Sequence, residues 1–283
     1  MINLLNFCTS NAIHYQDIVK LIKKYVLQLS NEEIEKMYSL WQLKFNTEGE
    51  DSVHSRDIIN SKLHVPHDAC YLGIDLPTWI GSNISNSGTV MIVGIDPLRN
   101  KVAFKSRNIL EDVIIGTPYA LHKRKMREGK TKEYWKFLKL LGENYVIYLT
   151  DIYKVFYYRG NYKGNRSYND KDLPRDYHLA ILKEEIKIIQ PKIIIALGAL
   201  TAQSLLTFNV SPITKVRASL TTFSFERIPV IPMVHLSGGS YASHKKAYLE
   251  TNGLHGSNIG ELYYKIIENL LIQGSLMGIS TPH

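Results

Sequence analysis

Thr89-Val90-Met91-Ile92-Val93 is an unbroken apolar run that ends at Gly94-Ile95-Asp96-Pro97. A strand apolar at every position, rather than at alternate ones, has to be covered on both faces, as a central strand of a parallel sheet is. Ligands of such sheets gather outside the carboxyl ends of the strands, so Asp96 stands where a ligand would be met. Two further stretches share this character: Tyr145-Val146-Ile147-Tyr148-Leu149-Thr150, running into Asp151, and Lys192-Ile193-Ile194-Ile195-Ala196-Leu197, running into Gly198. A fourth, Val230-Ile231-Pro232-Met233-Val234, ends at His235. Its proline has no amide proton to give a ladder, which argues for a non-central position or a bulge.

Helical periods fill the space around these strands. Leu179, Leu182, Ile186 and Ile189 form one face of a helix that Pro191 stops, and Ile259, Leu262, Tyr263, Ile266 and Leu270 form another near the end of the chain. Upstream, Ile18, Leu21, Ile22 and Val26 are followed by Ile34, Met37, Tyr38 and Trp41, with Ser30 and Glu33 spaced as a capping box that opens the second helix. Residues 46–88 are polar and punctuated by Gly and Pro, and read as loops with short elements. The expected architecture is a three-layer α/β/α domain over residues 85–283 with a central, mostly parallel four-stranded sheet. Residues 1–84 form an N-terminal helical extension packed on it.

Composition narrows the function classes. Two cysteines, Cys8 and Cys70, are too few for a disulfide framework or a four-cysteine metal site. A basic start with an apolar run is lacking, and no stretch reaches the ~18 apolar residues of a membrane span, so a cytoplasmic protein without a membrane partner is expected. Neither a GxGxxG fingerprint nor a GxxxxGK[ST] loop is present, which removes the usual argument for dinucleotide or NTP binding. The net charge of +8 is concentrated: residues 101–140 hold 11 Lys or Arg against 4 Asp or Glu, whereas residues 1–90 hold 7 against 10. Such a segment collects phosphates by counterion release, or is simply a solvated charged face. Lys123-Arg124-Lys125-Met126-Arg127 is its densest run and the best candidate for a nucleic-acid backbone contact.

Four places could carry chemistry. Asp96 could orient a water or stabilise a cationic sugar carbon, with Gly94 permitting close approach and Pro97 fixing the local backbone; it could equally be a turn former. Asp151 could bond a base edge or cap its own turn. His235 opens His235-Leu236-Ser237-Gly238-Gly239-Ser240, where an imidazole could donate to an oxygen gaining negative charge and the glycines could press a backbone into a groove, or it is an ordinary loop histidine. Aromatic and basic residues interleave from Tyr153-Lys154 to Arg166, a mixture that stacks on bases and grips phosphates, or that extends a core strand into a solvated loop. His244 and His255 lack a zinc spacing, so no metal site is expected.

In this order, the segments resemble the uracil-DNA glycosylases over about residues 88–272. Gly94-Ile95-Asp96-Pro97 is similar to the water-activating loop written G-Q-D-P-Y-H, and His235 to Ser240 to the H-P-S-P-L-S loop that enters the minor groove. Thr150-Asp151-Ile152-Tyr153-Lys154-Val155, Gly164-Asn165-Arg166 and Pro191 to Leu206 resemble the iron-sulfur branch. The resemblance implies that Asp96 positions water, His235 stabilises the departing base and Asp151 reads the base edge. It further implies that Tyr119 of Gly116-Thr117-Pro118-Tyr119 stacks on the base, and that Ser237, Gly238 and Ser240 compress the DNA backbone. Leu98 and Arg99 replace the Tyr-His pair, and Val155 and His178 stand where cluster cysteines would, so no iron-sulfur cluster and no other cofactor is expected. An ionised Asp151 accepts hydrogen bonds and cannot donate to uracil O4, so it suits an amino-bearing edge, or a uracil N3–H alone. The expected function is hydrolysis of the N-glycosidic bond of uracil or a related damaged base flipped out of DNA, by a monomer or weak oligomer. The alternatives are a non-catalytic nucleic-acid-binding member of the fold and an α/β enzyme acting on a small nucleotide or nucleoside.

Overall fold

The four expected strands form side by side. In the computed structural model, which describes residues 14–81, 88–97, 112–158, 175–206, 223–233, 250, 253–255 and 258–276, they are Thr89–Gly94 (β4), Val146–Asp151 (β6), Ile193–Leu197 (β8) and Ile228–Met233 (β10). They run parallel in the order β6-β4-β8-β10, so all four carboxyl ends share one edge of the sheet. Two antiparallel strands extend this to six: Thr78–Ile80 (β3) beside β6, and Phe223–Phe225 (β9) beside β10. Pro232 is tolerated inside a six-stranded sheet because β9 pairs only with Ile228, Pro229 and Val230. At Pro232 the pairing is with Ala196 of β8, and β9 has already ended.

Helices flank the sheet and make the architecture α/β/α. Tyr15–Tyr25 (α1) packs on Arg175–Ile189 (α5), and Lys132–Gly142 (α4) packs on Ile259–Leu276 (α7), where Lys136 Nζ meets Glu261 Oε1 at 2.8 Å. Ala199–Leu206 (α6) follows β8 directly. Asn31–Leu43 (α2) opens on the capping box that the sequence signals: Glu33 N donates to Ser30 Oγ at 3.1 Å and Ser30 N to Glu33 Oε2 at 2.8 Å. No helix among the described residues is long and apolar enough to cross a membrane.

A second sheet is absent from the sequence-based expectation. Ser52–Ser55 (β1), Cys70–Asp75 (β2), Asp112–Gly116 (β5) and Phe156–Tyr158 (β7) form it in the order β1-β5-β2-β7, with β2 parallel to β5. β1 (Ser-Val-His-Ser) and β7 have only four and three residues and show little local pattern. β2 and β5, in contrast, are as long as the parallel strands of the first sheet, and the apolar run Val113-Ile114-Ile115 was a signal for β5 that the sequence reading missed. Residues expected as a helical extension therefore also supply β1 and β2 to one sheet and β3 to the other. The helices α1 and α2 dock through an aromatic cluster: Trp79 of β3 lies 5.2 Å from Tyr148, 5.9 Å from Tyr15 and 6.3 Å from Tyr38, ring centre to ring centre. The Tyr38 hydroxyl donates to Pro77 O at 2.7 Å, so burying these rings leaves no polar cost at that oxygen.

Candidate active site

The register of β4 and β6 sets Gly94 beside Asp151 at the carboxyl edge. The chain leaving β6 is stitched to the chain leaving β4, with Ile152 N donating to Gly94 O and Tyr153 N to Ile95 O, each at 3.0 Å. At Gly94 the missing side chain is essential. A β-carbon there would collide with Asp151 Oδ1 and lie 3.3 Å from Tyr119 Oη. The buried carboxylate of Asp151 and the phenol of Tyr119 therefore meet over the glycine, one residue before Ile95 and two before Asp96.

Tyr119 reaches this point from the second sheet. It follows β5 in the turn Thr117-Pro118-Tyr119-Ala120, where Tyr119 (φ 59°) and Ala120 (φ 52°) are both left-handed. Its ring rests 4.5 Å from that of Tyr134 on α4. Loss of water pushes the Tyr119 phenol well above its ordinary value, helped by the charges of Asp151, Asp96 and Asp75. The group is thus a fixed O–H donor among carboxylates. Asp75 ends β2 opposite Gly116 of β5, and it was not singled out from sequence. A signal existed: Gly73-Ile74-Asp75 repeats the Gly-Ile-Asp of residues 94–96 and likewise closes a strand.

Of the expected site residues, the structure brings Asp96, Asp151, Gly94 and Tyr119 together, with Pro97 buried next to Asp96. His235, Ser237, Gly238, Ser240 and Arg166 lie outside the described residues, as do Leu98 and Arg99. Among the described residues no group of three or more His, Cys, Asp or Glu could hold a metal ion.

Lys154 corrects the expectation of a backbone contact. Only 4% of it is exposed, and its ammonium donates to Glu185 Oε2 at 2.8 Å, Thr150 Oγ1 at 2.8 Å and the Asp151 carbonyl at 2.6 Å. All three of its protons are used inside the protein. The reason is topological. Residues 152–155 carry the chain from the first sheet into β7 of the second and are buried throughout, so the interleaved aromatic and basic residues there are core. Burial pushes the Glu185 carboxyl up, against the opposing pull of Lys154 and Thr150. Lys154→Met is expected to destabilise the protein by about 3–5 kcal/mol, because it strands a buried carboxylate, whereas Lys154→Met with Glu185→Leu should recover most of that loss. Urea unfolding of the two variants checks this.

The basic run at 123–127 is also partly committed. Lys123 Nζ meets Asp51 Oδ2 at 2.5 Å, and Arg124 Nε meets Glu128 Oε1 at 2.7 Å on the surface, where such a pair contributes little. Arg127 is buried, donates to Leu121 O at 2.5 Å and to Phe45 O, and stacks 3.7 Å from the centre of the Phe45 ring. Desolvation lowers its pKa to about 10, which leaves it charged at neutral pH. Part of the run thus fastens residues 45–51 to the domain.

His178 lies on α5 beside this buried network, where its Nδ1 accepts the Lys154 N–H at 3.1 Å. Burial first, then the charges of Lys154 and His64, lower its pKa from 6.5 to about 3. Between these values the unfolded chain binds the proton and the native protein does not, so stability falls as pH drops below about 6.5, by up to about 1.4 kcal/mol per unit. His178→Asn, which keeps an acceptor for Lys154 N, is expected to flatten this slope in melts from pH 7 to pH 4. An unchanged slope would assign the acid sensitivity elsewhere.

A family model described as the uracil DNA glycosylase superfamily matches residues 83–252, well over half of the chain. The match spans Asp96, Tyr119, Asp151 and the loop from His235, and leaves out α1, α2 and β1–β3. No curated protein matches the chain.

Proposed function

Since the chain belongs to the uracil-DNA glycosylase superfamily, we propose that it hydrolyses the N-glycosidic bond of uracil or a related damaged base flipped out of DNA. The superfamily is one of DNA glycosylases that serve base excision repair, and DNA is the partner it implies. The observation that carries the reading is the meeting of Asp151 and Tyr119 over Gly94, beside Asp96.

A base taken out of the stack presents a flat face and a polar edge. The Tyr119 ring supplies a surface for the face, and Asp151 accepts a hydrogen from the edge. Asp96 then lies on the sugar side, where it holds a water and meets the positive charge that grows at the sugar carbon as the bond loosens. His235 follows β10 by two residues, and the carboxyl ends of β4 and β10 are two strand spacings apart, about 10 Å. In this reading its imidazole donates to the base as negative charge collects there. Stabilising opposite charges on two sides of one breaking bond favours the transition state over the bound substrate.

Asp151 narrows the substrate. As an acceptor-only group it favours a base with an amino hydrogen at the edge it faces, or one whose ring N–H is the donor. Asp151 and the replacement of Tyr-His by Leu98-Arg99 also favour a second reading, a non-catalytic member that binds extruded bases without cleaving them.

Base release from single- and double-stranded oligonucleotides carrying uracil, hypoxanthine or an amino-bearing lesion separates the two. Asp96→Asn is expected to lower release at least about 100-fold while leaving DNA binding within a few-fold. Asp151→Asn, which adds a donor, should shift preference toward uracil. Tight binding with no release across the panel would favour the binding module, and full release by Asp96→Asn would remove the role given to Asp96.

A further inference from the structure

The Tyr119 turn is held from outside the region that the family model matches. Thr117 Oγ1 accepts the His122 N–H at 3.2 Å and lies 3.0 Å from His122 Nδ1, and Ala120 N donates to Thr117 O at 2.8 Å. On its other side, His122 Nε2 is 3.2 Å from Asp51 Oδ1. This approach is a charge contact rather than an aligned hydrogen bond. The carboxylate's charge favours the ring proton on Nε2, which leaves Nδ1 to accept the Thr117 hydroxyl hydrogen. The second Asp51 oxygen pairs with Lys123, the residue after His122.

Three more contacts fix the surroundings of His122. Trp41 of α2 covers it at 5.1 Å between ring centres, with its planes inclined by 33°. The Trp41 Nε1–H donates to Glu50 O at 2.9 Å, which fixes the loop next to Asp51. Gly49 lies so close that a β-carbon there would strike the His122 carbonyl oxygen. Thr117 and His122 are fully buried, so neither can meet a substrate, and a nucleophilic role for the Asp-His-Thr series is excluded.

What the series does hold is costly backbone. Two successive non-glycine residues in the left-handed region, one with a large aromatic side chain, are each disfavoured and persist where surrounding contacts over-determine them. From these contacts we infer that Asp51, His122 and Thr117 form a buried positioning relay through which the N-terminal segment sets the Tyr119 ring over Gly94. Thr117, Tyr119 and His122 lie within residues 83–252, whereas Trp41, Gly49 and Asp51 lie outside them. The wall of the base pocket is therefore completed by a part of this chain beyond the matched region. The consequence for DNA rests on Tyr119 being the stacking ring proposed above.

The test uses the full chain with 13C-labelled tyrosine, the Tyr119 Cζ resonance being assigned by its loss in Tyr119→Phe. Asp51→Ala and Thr117→Val remove the two ends of the relay. Asp51→Asn and Thr117→Ser each keep an oxygen acceptor in place and serve as conservative rescues. In Asp51→Ala and Thr117→Val, the resonance is expected to move toward the position of an exposed tyrosine as the ring leaves the carboxylates. Single-turnover release from a uracil oligonucleotide should fall about 10- to 100-fold, as for a ring misplaced by about 1 Å, and both rescues should stay near wild type. Circular dichroism confirms that each variant is folded, and either variant alone suffices if the other is not. An unmoved resonance in folded Asp51→Ala or Thr117→Val overturns the relay. A moved resonance establishes the relay whatever DNA does, and if Tyr119→Ala then releases base as wild type does, it is the stacking role that falls.

Discussion

Everything at the candidate site depends on how closely β4 and β6 approach at their carboxyl ends. Parallel strands in register put Gly94 and Asp151 side by side, and the absent β-carbon of Gly94 is the space that the Asp151 carboxylate enters. Gly94 is there for room rather than for an unusual backbone angle. Any other residue would drive the carboxylate away from Tyr119 and from the loop that carries Asp96. The two hydrogen bonds from Ile152 and Tyr153 back to Gly94 and Ile95 then lock the strand-end loops to each other, so the two carboxylates belong to one rigid unit.

Beneath this unit lies a polar network sealed in the core. Lys154, Glu185 and Thr150 bond to one another, and Lys154 also holds the carbonyl of Asp151 from below. Burying an ion pair stabilises little in net terms, because desolvation opposes the attraction, but leaving one partner alone is severely unfavourable. The network thus acts as a constraint on geometry: the β6 end can take few positions that keep every member satisfied. His178, neutral by burial, serves the same end by accepting the Lys154 amide. A lysine that looks from sequence like a phosphate ligand is here the support of the turn that bears Asp151.

The second sheet and the N-terminal segment supply what the parallel sheet lacks. β5 delivers Tyr119 and β2 delivers Asp75, and both strands are held in place by partners distant in sequence. Residues 41–51 in turn grip the chain around His122 and Arg127. A segment expected only as a helical extension packed on the domain is thereby connected, through buried contacts, to the aromatic wall of the site.

Continuous apolar runs, strand-ending Gly, Asp and Pro, helical periods and the Ser30–Glu33 capping box are local features, each set by residues within a few positions of one another. The sequence by itself therefore determined the four parallel strands, the helices α1, α2, α5 and α7, and the standing of Asp96 and Asp151 at strand ends. The tertiary structure alone decided which side chains meet. The second sheet pairs strands across long separations in the order β1-β5-β2-β7, two of them only three or four residues long, so no local period announces that pairing. Lys154 points inward because β7 must pair with β2, and Tyr119 arrives at Gly94 because two sheets converge there. Charge and residue type are properties of a sequence, whereas burial and direction are properties of neighbours, and the chemistry of a site depends on both.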